Sequence, residues 1–485
     1  MTFLSYSFVL FFLASAALYF AAPRKLKPGV LLAASLVFYG SLRLGFLALL
    51  AAEALAAFGF ALWLEKRERR GRKAAFILSL AVLLAPLLVF KYSDFFIQTV
   101  SAAVRGLTHG RPWEALGLAL PAGISFYTFK ALSYVIDVYR GRIAAERNPI
   151  LVGLYISFFP QIFAGPIERA GNFFVQFRER RPFDIGRAAG GARLVLWGLF
   201  KKIVVADRLA QYVNIVFDKP QDYAGLGLAI GLVFYSFQIY CDFSGYSDMA
   251  VGLGRMLGLE TMDNFNFPYF SRSITEFWSR WHISLSFWLR DYLFLPISYA
   301  LSRKIKSERV LLVKTDFVLY LAGMSVTMIL CGLWHGANWT FIVWGAVHGL
   351  YLISSRATHT LRMRAARKLG LRRTGRAWTI VRTVFVFGLV SLAWVFFRSP
   401  SLSSAWDYLR NISFRLPSRG VGIILFLGIL LAVFILAEGL IKNRKSIWGE
   451  RRVPAPVQAV AYALFICLII ILAADTSNEF LYFQF

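Results

Sequence analysis

The sequence predicts an all-α, polytopic integral membrane protein, and three observations predict it. Hydrophobic residues make up 58% of the 485 residues and charged residues only 16%, whereas a soluble domain carries roughly 25% charged residues. Mean hydropathy is +0.59, and several uninterrupted apolar runs reach the roughly 20 residues that a membrane-spanning helix needs. The 54 Lys and Arg, against 26 Asp and Glu, fall in short loops between those runs, the pattern that orients a membrane protein with its basic loops in the cytoplasm. A net charge of +28 would suggest nucleic acid in a soluble chain. Here it suits anionic lipid headgroups or a phosphate-bearing donor, and no nucleic-acid partner is expected.

In order, the first run is Phe3 to Ala22. It has no basic residues ahead of it and is followed by Arg24, Lys25 and Lys27, so it reads as a helix rather than a signal peptide, with the N-terminus outside. Runs at 28–42 and 45–64 form a hairpin returning to the basic Lys66-Arg-Glu-Arg-Arg-Gly-Arg-Lys73. A run at 74–91 crosses outward, and 95–114 reads as an amphipathic connection. The helix Pro121 to Asp137 carries Lys130 and Asp137, whose charges must face protein or a cavity rather than acyl chains. The run 149–167 has basic flanks on both sides and contains Pro160 and Pro166, so it is expected to be re-entrant.

A crossing at 189–217 precedes a return from about 225 into Gln238-Ile-Tyr-Cys-Asp-Phe-Ser-Gly-Tyr-Ser-Asp-Met249. The pairs Gly225/Gly227 and Gly252/Gly254 lack the spacing of a nucleotide-binding turn and suit close helix packing instead. Thr275 to Pro296 mixes Trp, Phe and Leu with Arg280, Arg290 and Asp291, a composition for helices lying in the membrane interface. Runs at 315–334 and 339–355 form a hairpin with its elbow at His335-Gly-Ala-Asn338. The following loop, Arg356 to Arg376, has eight basic residues and no acidic ones. Runs at 378–397, 420–440 and 454–473 complete the chain. The topology closes with both termini outside if 149–167 and 275–296 do not cross.

Chemistry concentrates in two places. Of five histidines, three lie in Thr275–Pro296 (His282) and Cys331–Gly349 (His335 and His348). A titratable group at membrane depth is costly, which makes it a functional candidate. His335, beside the small Gly336 and polar Asn338, suits a general base or hydrogen-bonding catalyst; its alternative is a packing hydrogen bond between helices. His282 is either an interfacial anchor or a substrate-orienting residue with Arg280, Arg290 and Asp291. His348, 13 residues beyond His335, is too far round a helix to share its face and is expected to pack. His109 and His359 are expected to be solvated. Cys331, one turn before His335, allows a covalent acyl carrier but suits a small core residue better. Asp242 and Asp248 suit a proton path or pairing with basic groups. Three cysteines without a C-x-x-C pair argue against a disulfide framework and a zinc site, and no metal is expected.

Three ordered motifs then carry a resemblance: Asp242-Phe-Ser-Gly-Tyr-Ser-Asp248, Phe277-Trp-Ser-Arg-Trp-His-Ile-Ser-Leu-Ser286 with Leu289-Arg-Asp-Tyr292, and Leu333-Trp-His-Gly-Ala-Asn338. Together with Ala164-Gly-Pro-Ile167 they resemble the membrane-bound O-acyltransferase family, in its bacterial branch typified by the integral-membrane component of alginate O-acetylation. The likeness runs from about Pro121 to His348, and the closing Phe480-Leu-Tyr-Phe-Gln-Phe485 is similar to the end of many members. After Leu293-Phe-Leu-Pro296 the chain departs from relatives that continue with a Gly-Gly-Asn-Arg-like turn.

The resemblance implies a single membrane-embedded domain over 1–485 with its motif-bearing core at 121–348. About 11 transmembrane helices, with re-entrant and interfacial ones, would form a ring around a central funnel. It implies transfer of an acetyl or other acyl group from a cytoplasmic thioester (acetyl-CoA or an acyl carrier) to a hydroxyl of an exported polysaccharide, with a periplasmic or extracellular acetyltransferase partner, in the bacterial inner membrane. No bound cofactor is implied. His335 matches the family's catalytic histidine and His282 its second polar site. Trp334, Asn338, Asp242, Ser244, Tyr246, Asp248, Trp281, Arg290 and Asp291 fall in the same motifs as candidate substrate- or funnel-lining residues. Alternatives are D-alanyl or acetyl transfer to teichoic acid or peptidoglycan, and, from another class, a proton-coupled transporter.

Overall fold

The computed structural model describes residues 1–108, 112–179, 182–223, 225–368, 375–417, 420–444, 454–474 and 480–481. It is built almost wholly of helices, with one two-stranded hairpin, Arg309–Val310 against Val313–Lys314. Six helices among the described residues are long and apolar enough to cross a membrane, and three shorter ones are apolar throughout. The chain divides into two compact units: Met1–Val195 with Ser247–Asp263, and Leu196–Tyr246 with Asn264–Phe485.

The first unit contains α1 Tyr6–Ala21, α2 Lys27–Gly40, α3 Leu44–Lys66, α4 Arg69–Leu87, α5 Ser93–Thr108, α6 Ile124–Tyr139, α7 Pro149–Ser157, α8 Ala170–Arg178 and most of α9 Ile185–Leu199. Helix starts follow local chemistry. Ser5 accepts from the Phe8 amide at 3.3 Å to cap α1, and Asn148 accepts from the Ile150 amide at 3.0 Å to cap α7, which has Pro149 in its first turn. Phe8, Phe38 and Phe159 interlock with ring centroids 5.5–6.3 Å apart, Phe8 standing edge-on to the other two, as aromatic pairs prefer.

Residues 74–91 fall in a helix apolar and long enough to cross a membrane, as expected, but 95–114 is not a separate connection. A π-helical turn at Leu88–Tyr92 carries α4 into the amphipathic α5, so Arg70–Arg105 is one 36-residue helical stretch. At 149–167 the helix is only nine residues, Pro149–Ser157. At 1.5 Å per residue that is about 13 Å, too short to cross a bilayer core. The charges on α6 face protein: buried Lys130 donates to Gln161 Oε1 at 3.0 Å, and Asp137 pairs with Arg142 at 3.3 Å. The Gly252 backbone packs on Gly191, where a Cβ would lie 2.5–2.6 Å from the other's carbonyl oxygen. Gly225, by contrast, serves a turn: its φ is +89° and its amide donates to the Asn411 carbonyl.

The second unit holds α10 Asp207–Asp218, which continues α9 through a π-helical turn at Phe200–Ala206, and α11 Leu226–Met256 up to Tyr246. Short helices α12 Ile274–Trp278, α13 Ile283–Leu289 and α14 Leu295–Lys304 follow. Then come α15 Thr315–His335, α16 Trp339–Ala357, α17 His359–Lys368, α18 Arg376–Arg398, α19 Leu402–Asn411, α20 Val421–Arg444 and α21 Ala455–Leu472. The basic stretch expected as a loop is therefore helical over α17.

The α15–α16 hairpin is the tightest packing in this unit. A Cβ on Gly332 would meet the Phe341 carbonyl oxygen at 2.1 Å, and one on Gly345 the Met328 carbonyl oxygen at 2.2 Å. Backbone lies directly on backbone, the arrangement by which small residues bring membrane helices together where no hydrophobic effect distinguishes protein from lipid. Any side chain at Gly332 must push α16 away. Gly332→Val is expected to destabilise the protein by about 3 kcal/mol or more. Gly388→Ala, in α18 with nothing within 4 Å of its Cβ position, should leave stability unchanged or slightly raised. Size-exclusion profiles and thermal melts of detergent-solubilised variants check both; a monodisperse Gly332→Val protein with a wild-type melting point would contradict the packing.

Candidate active site

His335 is the last residue of α15, where Gly336 takes up extended backbone and ends the helix. The imidazole is buried and meets three aromatic faces: Trp334 at 4.9 Å, Trp344 of α16 at 5.0 Å and Phe397 of α18 at 5.2 Å, all edge-on. Gly336 must be small, since a Cβ there would enter the Phe341 ring at 2.1 Å. Asn338 then starts α16 as its N-cap, accepting from the Thr340 amide at 3.1 Å while its Nδ2 donates to the Pro400 carbonyl at 3.1 Å. Asn338 is thus the clamp that sets the elbow.

His282 reaches the same neighbourhood from a different element. It precedes α13 with φ +42° and ψ +55°, a left-handed conformation that histidine adopts rarely and at a cost. Asn264 over-determines it. Its carbonyl accepts from the Ile283 amide at 2.9 Å. Its side-chain Oδ1 accepts from the Ser284 amide (3.2 Å), from Ser284 Oγ (2.8 Å) and from His282 Nδ1 (3.1 Å). A backbone N–H can only donate, so the atom facing Ser284 is the amide oxygen, and His282 Nδ1 must carry its proton. Nε2 is left as the acceptor nitrogen of a neutral ring. Complete burial pushes this imidazole down to about 3. Phe243 of α11 stands edge-on to it at 4.6 Å and Trp334 lies 5.9 Å away. The structure therefore brings His282, Trp334 and His335 together, both imidazoles in contact with the Trp334 indole.

The α11 motif is anchored by residues that sequence reasoning missed. Lys202, buried in the π-helical turn, pairs with Asp242 at 2.7 Å and Asp207 at 2.9 Å. Asp242 also accepts from the Leu481 amide at 3.0 Å. Lys201 donates to Ser244 Oγ at 2.9 Å and lies over the Tyr240 ring, whose hydroxyl donates to Glu438 at 2.6 Å. Tyr246 packs on Phe480 at 4.7 Å. The visible signal was a Lys-Lys pair inside an apolar run, which the basic-loop reading passed over. Nothing in the sequence singled out Asn264.

Other candidates separate from this cluster. Trp281 is a core residue, ringed by Phe265, Phe277 and Trp394 at 5.1–5.5 Å. Arg290 and Asp291 pair with each other at 2.8 Å, and Arg290 is half-exposed; Arg280 pairs with Glu276 at 2.8 Å. Asp248, half-buried, belongs to the first unit, six residues along α11 from Asp242 and so about 240° round the helix. Cys331 is fully buried. His348 does share surroundings with His335, contrary to the helical-wheel expectation: it sits on a different helix, and both rings pack on Trp344, His348 at 4.8 Å. His359 is exposed, and His109 lies outside the described residues. No three His, Cys, Asp or Glu side chains among the described residues group as metal ligands would.

Apolar helices long enough to span a bilayer thus accompany two buried histidines that both contact the Trp334 indole. Residues 148–398, which contain both histidines, match the model of the membrane-bound O-acyltransferase family, and the chain belongs to that family. As such it is an acyltransferase acting on hydroxyl oxygen. It is 36% identical to a probable alginate O-acetylase of Azotobacter vinelandii over 96% of each chain. It is 33% identical to a peptidoglycan O-acetyltransferase of Helicobacter pylori over 79% of this chain and 73% of that one. A teichoic acid D-alanyltransferase of Bacillus subtilis is 30% identical over 47% of this chain and 57% of its own.

The depressed His282 value has a stability consequence with a definite sign. Folding holds the ring near 3, whereas the unfolded chain titrates near 6.5. Below about 6.5 the unfolded state takes up a proton that the folded state refuses. The stabilising contribution is therefore full above about pH 6.5 and is lost as pH falls through the window from 6.5 to 3. Between pH 7.5 and 5 the loss should be about 2 kcal/mol. Thermal melts of wild type and His282→Gln over that range should diverge, with wild type falling more steeply; parallel curves would contradict the buried, neutral imidazole.

Proposed function

We propose that this protein transfers an acetyl group from a cytoplasmic thioester, acetyl-CoA or an acyl carrier, to a hydroxyl on an exported polysaccharide, directly or through a periplasmic or extracellular partner. His335 takes the proton from the acceptor hydroxyl as its oxygen attacks the thioester carbonyl. The C–O bond forms, the C–S bond breaks, and the proton passes from His335 to the departing thiolate, so no further reactant is consumed. The transient imidazolium would form at the carboxyl end of α15, where the helix dipole favours positive charge. His282, neutral with Nε2 as acceptor, positions the reacting groups against Trp334. General acid–base help of this kind contributes about 10²–10⁴ in rate.

The observation that carries this reading is the convergence of His282 and His335 on Trp334, within 5.9 and 4.9 Å, in a chain alike to an alginate O-acetylase over nearly its whole length. Acetyl transfer to peptidoglycan is the second reading, supported by the Helicobacter pylori relative; D-alanyl transfer to teichoic acid has the shorter likeness. A transporter using Asp242 and Asp248 has less support, because Asp242 is engaged by Lys202 and the Leu481 amide. The reading includes one membrane domain over 1–485, with its core at 121–348. About 11 crossing helices would surround a funnel in the bacterial inner membrane, both termini outside. Trp334 faces substrate; Asp242, Ser244 and Tyr246 hold the wall behind it.

His335→Ala should reduce acetyl transfer by purified protein in detergent or vesicles by at least about 10²-fold while preserving its melting point. Ester-linked acetate on surface glycans of a deletion strain, analysed separately for polysaccharide and peptidoglycan, identifies the acceptor. Wild-type transfer rates in a folded His335→Ala protein would refute the assignment.

A further inference from the structure

His282, Trp334 and His335 all lie in the second unit, but the first unit has a cavity of its own. It measures about 390 Å³ and opens between the α1–α2 turn and the end of α8. Helix α1 is apolar from Tyr6 to Ala21, and α2, apolar beyond its first residue, starts at Lys27. The cavity is therefore at the height where two apolar helices end, the level at which a bilayer presents headgroups and at which Lys, Arg and Tyr side chains reach for them.

Its floor is fixed. Gln176 of α8 is buried; its Nε2 donates to the Glu260 carbonyl at 2.8 Å, and its Oε1 accepts from the Glu260 amide at 2.7 Å. One wall is aromatic, with Phe20 edge-on to Phe183 at 5.1 Å. Lys27 stands over the Tyr19 and Phe20 rings at 4.8 and 5.5 Å, which holds its ammonium in place without neutralising it. Arg24 spends one of its five donors on the Arg178 carbonyl. Nearby Arg142, Arg147 and Arg178 each pair with a carboxylate. Arg24 and Lys27 pair with none among the described residues, and both line the cavity. Two cations so placed call for a phosphate. The same cavity also carries Glu179. A carboxylate accepts several donors at once, so Glu179 can take an ammonium in addition to its other contacts. A purely anionic headgroup would meet repulsion there, and a choline has no N–H to offer.

We propose that this cavity binds the headgroup of a phosphatidylethanolamine-type lipid, a phosphodiester bearing a primary ammonium. Arg24 and Lys27 hold the phosphate, Glu179 holds the ammonium, and Phe20 and Phe183 flank the glycerol end. The site is independent of the acyltransferase reading.

Delipidated protein in a neutral maltoside detergent, titrated with dioleoyl phosphatidylethanolamine, phosphatidylglycerol or phosphatidylcholine, tests it, with bound lipid counted by native mass spectrometry. Wild type should bind the ethanolamine lipid about tenfold more tightly than the choline lipid, the scale of one hydrogen bond to a charged group. Lys27→Met keeps the stem over the rings and removes the charge; it should weaken the ethanolamine and glycerol lipids alike, by about tenfold. If that variant fails to fold, Arg24→Gln, at an exposed position, replaces it with the same expected loss. Glu179→Gln, also exposed, should weaken the ethanolamine lipid alone and leave the glycerol lipid unchanged or tighter. Equal binding of all three lipids, or an unaltered ethanolamine preference in Glu179→Gln, would overturn the site. So would a wild-type preference for the glycerol lipid, which would mark a site for anionic lipid. Glycerophosphoethanolamine binding as tightly as the intact lipid would overturn it too, in favour of soluble phosphate esters.

Discussion

Backbone contact between α15 and α16 at Gly332 and Gly345 is the constraint on which the site depends. With carbonyl oxygens where side chains would stand, the two helices come close enough for Trp344 of α16 to meet His335 at the end of α15. Trp344 in turn stacks on Trp394 of α18, centroids 5.5 Å apart and planes 18° apart, and Trp394 packs on Trp281. In a bilayer such packing rests on dispersion and shape, since burial from lipid gains little. Wide flat rings supply much contact for few rotatable bonds. An extra methyl group at Gly332 would therefore act on the histidine as well as on the helix pair.

Around that apolar frame, each charge read from the described residues of α11 and its neighbours has a partner. Lys202 joins Asp207 and Asp242, Lys201 meets Ser244, and Glu438 meets Tyr240. Isolated, each ion would be very costly in a medium of low dielectric; paired and hydrogen-bonded, the attraction offsets most of that cost. The π-helical turn at Phe200–Ala206 places both consecutive lysines against α11, one on Asp242 and the other on Ser244. Removing one member strands the others. The Asp242 carboxylate is best understood as a strut for the wall bearing Phe243 and, through it, His282.

The hydrophobic runs located the helices well because lipid imposes an apolar surface of fixed length on every crossing. Helix α15 ends one residue beyond the expected run, at His335, and α16 begins at the expected Trp339. Segments shaped by protein contact were less legible. The join of α4 to α5 is invisible in hydropathy, since a π-helical turn changes geometry without changing composition. His282 and His335 stood out because imidazoles are scarce in apolar sequence. Asn264 did not, because an asparagine in a loop has no expected partner until the fold supplies Ser284 and His282. Arg290 and Asp291, adjacent opposite charges, pair with each other at 2.8 Å, a contact that their neighbouring positions in the sequence already allowed.

The two histidines are held in ways that suit different tasks. His282 is fixed at both its backbone and its ring: Asn264 enforces a left-handed residue and a single tautomer. Such strain persists only where the surroundings over-determine it, and the result is one acceptor nitrogen that stays neutral throughout the physiological range. His335 meets Trp334, Trp344 and Phe397 edge-on, at a helix end whose carbonyl dipoles tolerate a cation. A group that must gain and release a proton within one turnover profits from that helix-end field, whereas a group that must present a fixed lone pair profits from being locked. The division of labour between base and positioning residue in the proposed reaction accords with that difference, and the Trp334 indole is in contact with both imidazoles.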